Sequence, residues 1–292
     1  MTDSPGRVEP PAHPGAPVME PARPRGETPR QRARAEARGS FVRVGARTKP
    51  GQLFETGGLR WRFPRSSSRC EAAIVNTGGG VAGGDSYSVR LSLDEGAEVE
   101  ATTPSAERIY RSDGAAAVIA TGLTLAPRAR LFWLPQETLM FDGARLKRRF
   151  EVETSAEAEF LIAETLVLGR LAMGESRIDA TLTDSWRIRR DGRLIFADET
   201  RLESAGAALD RKAVGAGARA LSTIVASTPS AEARLPVLRA ALDASGSGVE
   251  SGASALDGLI VARLLAASPD RLRAALVASI VALGGRKPRL WP

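Results

Sequence analysis

The sequence has 292 residues, 43% apolar and 5% aromatic, with a net charge of +7 and an isoelectric point near 10.4. That length and apolar share allow one large domain or two small ones with a sizeable core. The single cysteine (Cys70) excludes an intrachain disulfide, and the single histidine (His13) sits in a proline-rich stretch, so the usual His-dependent triads, dyads and zinc sites are excluded.

In chain order, residues 1–38 hold 8 of the 18 prolines and no Leu, Ile or aromatic residue. Too little apolar surface is available there to offset ordering entropy, so the segment reads as a disordered Pro/Arg-rich tail, with a single domain over 39–292. The tail lacks the apolar core of a signal peptide, and no window approaches the ~20 apolar residues of a membrane helix. A cytoplasmic protein is expected. The positive charge is spread along the chain, and its basic runs lack interleaved aromatics, which argues against a dedicated nucleic-acid surface.

Phe41, Val42 and Val44 open a short strand, and residues 69–76 contain another that runs into glycines. Beyond them Tyr87, Val89, Leu91 and Leu93 alternate with Ser86, Ser88, Arg90 and Ser92, the pattern of a half-buried strand. Asp94-Glu95-Gly96 is a turn. Short extended segments follow at 97–103, 118–125, 131–134 and 149–152. Residues 160–168 are apolar at nearly every position and read as a buried strand or a helix. Residues 186–190 and 194–197 flank Asp191-Gly192 as a hairpin. In the last third, Leu235, Leu238 and Leu242 fall at helical spacing after a capping stretch at 228–232. Residues 244–255, rich in Ser and Gly, read as a loop. Ser268-Pro269-Asp270 is a helix start with serine as N-cap and proline at N1, and Gly284-Gly285 is its stop.

The segment of greatest interest is residues 76–85, Asn-Thr-Gly-Gly-Gly-Val-Ala-Gly-Gly-Asp. Gly78, Gly80 and Gly83 satisfy G-x-G-x-x-G after an apolar strand, which raises an NAD(P)-binding oxidoreductase as the alternative reading. A phosphate site there needs a helix after the last glycine, and the period-two run that follows predicts a strand instead. The other reading is a strand-to-strand link whose glycines allow close backbone approach.

Residues 70–85, with the core Gly79-Gly80-Val81-Ala82-Gly83-Gly84-Asp85, resemble the segment of the UreD (UreH) family that ends in GG-x-x-GGD. Thr103, Ala106 and Ile109-Tyr110-Arg111-Ser112 are similar to its T-x-x-A…YRS stretch. Trp133-Leu134-Pro135-Gln136-Glu137 with Phe141, then Glu164, Gly169-Arg170 and Gly174-Glu175, and finally Pro288-Arg289-Leu290-Trp291 continue the likeness in family order. The resemblance implies a non-catalytic urease maturation factor or chaperone. Such a protein binds the urease apoprotein with UreF-like and UreG-like accessory proteins for GTP-dependent nickel insertion, and a dimer within that complex is compatible with it. It also implies stacked sheets with two helices. Joined to the segment reading, the expected fold is mainly β (α+β): many short strands in stacked sheets, with about two helices in the C-terminal third.

No tightly bound cofactor is expected, only transient Ni²⁺. With no imidazole and one thiol in the domain, a nickel path must use carboxylates, hydroxyls, carbonyls and water, which suit passage more than storage. The candidates within the matching blocks are Asp85, Asp142, Glu164 and Glu175. Each has a plainer reading as a turn former or as the partner of an arginine. Cys70 reads as a buried, inert thiol, the basic run Arg145, Lys147, Arg148, Arg149 as a solvated face, and Tyr110 and Arg111 as interface anchors.

Overall fold

The computed structural model describes residues 31–64, 69–170, 173–175 and 178–292. The tail expected at 1–38 falls mostly outside them, but its last part does not. Strand β1 (Arg34–Val44) begins five residues before Gly39, with Ala35 and Ala37 already buried. Small alanines at alternate positions fill the inward side of a strand, and a search for large apolar residues passes over them.

The strands following in order are β2 (Arg47–Thr56), β3 (Leu59–Arg62), β4 (Cys70–Asn76), β5 (Ser86–Leu93), β6 (Glu98–Thr102), β7 (Glu107–Ile109), β8 (Ala117–Leu125), β9 (Arg130–Leu134) and β10 (Thr138–Met140). After them come β11 (Arg145–Thr154), β12 (Glu159–Leu168), β13 (Thr181–Arg190), β14 (Arg193–Leu202), helix α1 (Ala205–Asp210), β15 (Ala220–Ser227), α2 (Ala231–Asp243), β16 (Val249–Leu256), β17 (Leu259–Ala266) and α3 (Pro269–Ala282). The fold is mainly β, as expected.

Two sheets stack. The first runs β14-β13-β11-β8-β5-β1-β2; the second runs β16-β17-β15-β12-β9-β6-β4-β3, with β10 and β7 beside β12. Neighbours β1, β5, β8, β11 and β13 are parallel in the first sheet, and β4, β6, β9 and β12 in the second. Parallel neighbours need a long crossover, usually a helix. Here the chain instead lays a strand in the opposite sheet on each return, so every circuit adds one strand to both sheets, as in a solenoid.

Period-two patterns aim one set of side chains between the sheets: Tyr87, Val89, Leu91 and Leu93 from β5, Leu146, Phe150 and Val152 from β11, Leu182, Trp186 and Ile188 from β13. A second core lies on the far side of the second sheet, where Leu161, Ala163 and Val167 of β12 meet Leu238 of α2 and Leu272, Leu276 and Ile280 of α3. Strand β12 is therefore covered on both faces, which is why residues 160–168 show no alternation.

Turn chemistry fixes the hairpins. Asp191 and Gly192 both have positive φ (50° and 78°), as a type I′ turn requires, and join β13 to β14. Asp257 (52°) and Gly258 (73°) do the same for β16 and β17. The loop expected at 244–255 is thus corrected: Val249–Leu256 is an edge strand held by β17, and the Arg239 guanidinium donates to its Ala253 carbonyl. Helix α3 starts as read, with the Ser268 hydroxyl accepting from Arg271 N at 3.4 Å. It ends in a Schellman arrangement, Gly285 N to Ile280 O and Gly284 N to Val281 O.

The last residues fold back over β4 and β6. Arg286 binds Glu71 at 2.8 Å and Glu100 at 2.9 Å, and Trp291 Nε1 donates to Thr102 Oγ1 at 3.1 Å. Arg273 on α3 grips Glu137 with two nitrogens, at 2.7 and 2.6 Å.

Candidate functional site

The glycine segment lies between β4 and β5. No helix follows Gly83; the chain turns at Gly84 and Asp85 and enters β5, which removes the helix N-terminus on which the dinucleotide reading depended. The segment passes close against its neighbours. A Cβ on Gly80 would lie 2.5 Å from the Tyr110 ring and 2.8 Å from the Arg108 carbonyl, and one on Gly83 would overlap the Ser112 side chain. Gly80 also has φ +147°, a conformation side chains resist. Tyr110 Oη donates to the Gly79 carbonyl at 2.8 Å.

From Tyr110 the contacts continue as a chain of stacked groups. Its ring meets Phe141 edge-on at 5.4 Å, and the Arg170 guanidinium lies 4.4 Å over the other ring. Arg170 pairs with Glu175, whose carboxyl it holds below the usual glutamate range. Arg111 pairs with Asp142, and Asp142 Oδ1 also accepts from Asp179 N at 2.9 Å. The fold therefore gathers the glycine segment, Tyr110-Arg111, Phe141-Asp142 and Arg170…Glu175 at one place. Asp142 and Glu175 belong to this cluster, each with an arginine partner. Tyr110 is half-buried and braces the glycines, whereas Arg111 is exposed. Asp85 serves a backbone role: its two oxygens accept from Ala33 N and Ala82 N, both at 2.8 Å, tying the start of β1 to the turn.

Glu164 is elsewhere, between the sheets. It faces a cavity of about 160 Å³ whose lining includes exposed Gly79 as well as Asn76, Glu107, Trp133 and Arg148. Its two oxygens accept from Trp133 Nε1 (2.7 Å) and Arg148 Nη1 (2.6 Å). Arg148 simultaneously makes a two-point bond to Asp184, Nε to Oδ1 at 2.9 Å and Nη2 to Oδ2 at 2.7 Å. Trp186 Nε1 adds a donor to Asp184 at 3.2 Å, and its ring stacks on Phe150 at 4.5 Å. One arginine thus serves two carboxylates from both sheets, all with side chains 5–7% exposed.

The two carboxyls respond differently. Burial pushes Glu164 up despite Arg148 and Trp133. Burial also acts on Asp184, but the arginine beside it and the two-point hydrogen bond hold it below its ordinary value. Burial opposes the charge of Arg148 as well, and the two anions outweigh it, so its pKa is raised. A cationic Arg148 between two carboxyls leaves the cluster short of one positive charge, which makes it hospitable to a further cation or proton. The solvated face expected of the basic run does not include Arg148. It occupies an inward position of β11, between Leu146 and Phe150, while Arg145, Lys147 and Arg149 are exposed.

Also in the cavity lining, Glu107 accepts from Asn76 Nδ2 at 2.9 and 3.0 Å, and burial raises its pKa. A carboxyl raised on folding stabilises the fold below its ordinary value of 4.5, and that contribution is lost as pH climbs through the raised value. Glu107→Gln is therefore expected to melt increasingly above the wild type as pH rises from about 4.5, seen by thermal unfolding at several pH values.

Cys70 stands apart from these carboxyls. Burial, and then Glu71, push its thiol up to about 11, so it stays protonated and is a poor nucleophile or metal ligand. Its alkylation by iodoacetamide at pH 8 is expected to be at least tenfold slower than that of free cysteine, and to reach the free rate on unfolding. Among the described residues no group of three or more His, Cys, Asp or Glu side chains is arranged to hold a metal ion. No helix among them is long and apolar enough to cross a membrane.

Comparison with known proteins gives a consistent result. The family model described as "UreD urease accessory protein" matches residues 33–292. The chain is 48% identical over 261 residues to the urease accessory protein UreD of Beijerinckia indica, covering 89% of this chain and 97% of that protein. It is 47% identical over 264 residues to the UreD of Xanthobacter autotrophicus, covering 90% and 91%. It is also 45% identical over 270 residues to the UreD of a Methylobacterium species, covering 89% and 96%.

Proposed function

The chain belongs to the UreD family of urease accessory proteins, and from that premise we propose that it is a cytoplasmic, non-catalytic scaffold for building the urease metallocentre. In this reading it binds the urease apoprotein together with UreF-like and UreG-like accessory proteins, and Ni²⁺ is cargo handed on with GTP hydrolysis by the partner. A dimer within that complex is part of the reading.

The observation that carries the passage of cargo is the cavity between the sheets, with Glu164 and Arg148 in its lining and exposed Gly79 at its edge. Its carboxyls are already engaged, Glu164 by Arg148 and Trp133 and Glu107 by Asn76, so a cation there exchanges one partner for another and is not trapped. Glu164 is the passage residue in this proposal. Asp142 and Glu175, beside the glycine segment, would meet the cation outside the cavity. Asp85, with both oxygens on backbone N–H groups, contributes by holding the turn.

The test is activation of urease in cells carrying the structural and accessory genes with and without this chain, read as nickel per urease active site and as activity. Loss of both without the chain, with co-purification of urease and at least one accessory protein, is expected. Full nickel loading in its absence would overturn the proposal.

A further inference from the structure

Two register rows facing each other between the sheets are polar from the interior to the edge. In the second sheet, pairing sets Glu164 of β12 beside Thr223 of β15, and Thr223 beside Arg263 of β17. In the first, it sets Arg148 of β11 beside Asp184 of β13, and Asp184 beside Thr200 of β14. Asp198, the next inward position of β14, meets Arg263 across the gap at 2.7 Å. The Arg148 cluster is thus prolonged toward one side of the sandwich. Against burial, Arg148 and, more weakly, Arg263 hold Asp184 below its ordinary value.

This lane crosses apolar ground. Leu221 and Val225 flank Thr223, Val261 precedes Arg263 on the same side of β17, and Phe196 and Leu202 lie at either end of the Asp198–Thr200 stretch, all within or against the core between the sheets. Side-chain exposure rises from 7% at Asp184 to 24% at Asp198 and 47% at Arg263. The row ends at Gly252 of edge strand β16, where an added Cβ would meet nothing within 4 Å, so the gap opens there. Apolar residues in place of buried ions are often neutral or stabilising, so stability does not call for such a lane.

At its inner end the lane reaches Glu164, in the lining of the cavity that Gly79 borders. We propose that the cation passage has its second mouth at the β14–β17 side, closed by the Arg263–Asp198 ion pair. This inference rests on the passage reading of Glu164. A divalent cation moving along the lane takes oxygens from Asp184, Thr223, Thr200 and Asp198, which hold nickel less firmly than imidazole or thiolate. At the rim it takes Asp198 from Arg263, whose exposed guanidinium turns to water.

The experiment measures nickel per active site of urease purified from cells that carry the structural and accessory genes with a variant of this chain. D198K sets two positive charges at the mouth, and T200L/T223L lines the lane with apolar groups. Each is expected to lower nickel per site at least tenfold, and D198E and T200S/T223S to restore most of it. S92V/T124V, on the outer face of the first sheet, should load fully. Thermal unfolding of each variant checks the fold; if the leucine pair does not fold, T200V/T223V, which keeps the native shape, replaces it with at least a threefold loss expected. Full loading by folded D198K, or by the folded threonine variant, while E164Q is blocked would overturn the second mouth alone. Full loading by E164Q would overturn the passage reading and this inference with it.

Discussion

Arg148→Ala is expected to destabilise the protein by about 3–5 kcal/mol, the usual cost of removing one partner from a buried ion pair. The reason is what remains behind. Glu164 and Asp184 would both stay between the sheets, with the indole donors of Trp133 and Trp186 as their remaining side-chain hydrogen-bond partners among the described residues. Deprived of the guanidinium, both carboxyls shift upward and bind protons more readily when folded than when unfolded. The deficit should therefore be largest at neutral pH and shrink as the solution is acidified toward pH 5. Urea titration at the two pH values measures it. A triple replacement of Arg148, Glu164 and Asp184 by apolar residues of similar volume should recover most of the loss, because no charge is then left buried. That variant would separate stability from function: the proposed cation route loses Glu164, so urease activation should stay low while the melting temperature returns. A stable triple variant that activates urease normally would remove the cluster from the proposed route.

Gly80→Ala is expected to cost about 1–3 kcal/mol in backbone strain alone and to lower urease activation at least tenfold. The added methyl meets the Tyr110 ring and the Arg108 carbonyl. A ring can swing, but β7 is held by β10 and cannot retreat freely. Tyr110 must then leave the Gly79 carbonyl and disturb Phe141 and, through it, Arg170. Gly79→Ala is the control. Its φ of +78° imposes strain, yet nothing lies within 4 Å of the added atom. It should lose about 1 kcal/mol and keep its activity. Equal activation by the two variants would mean that the Tyr110 arrangement is packing only.

Much of the fold could be read from residues because alternation survives wherever one face of a strand is buried. Strand β5 was plain for that reason, and α3 was plain because cap, proline and stop glycines coincide. Strand β12 resisted because both its faces are covered. Strand β16 resisted for the opposite reason: an edge strand of Ser, Gly and Ala has little to bury, and its pairing comes from β17 and the Asp257-Gly258 turn. Strand β2, almost wholly exposed, left no pattern at all.

The candidate site was legible only in part. Glu164, Asp142 and Glu175 were picked out by family blocks, but their partners were not. Arg148 was hidden by its basic neighbours, although Leu146, Phe150 and Val152 on the same side of β11 carry the signal that it points inward. Asp184 lies likewise in the inward register of Leu182, Trp186 and Ile188. Period two, carried through a charged run, would have marked both as buried charges in need of each other. What it could not supply is that β11 and β12, from opposite sheets, bring Glu164 to the same guanidinium.

The fastening of residues 286–291 onto β4 and β6 has a consequence for how the molecule is made. Its bonds join positions 186 to 215 apart in the chain. Glu71 and Glu100 are 5% and 1% exposed once folded, and Arg286 serves both. Until the ribosome has released that arginine, the early circuits of the solenoid carry carboxylates they can bury only at a penalty. Strands β4 and β6, which emerge early, are thus among the last to be completed. A nascent chain of this design waits with open parallel edges, the state most exposed to misassembly, and a partner that arrives during synthesis would protect it.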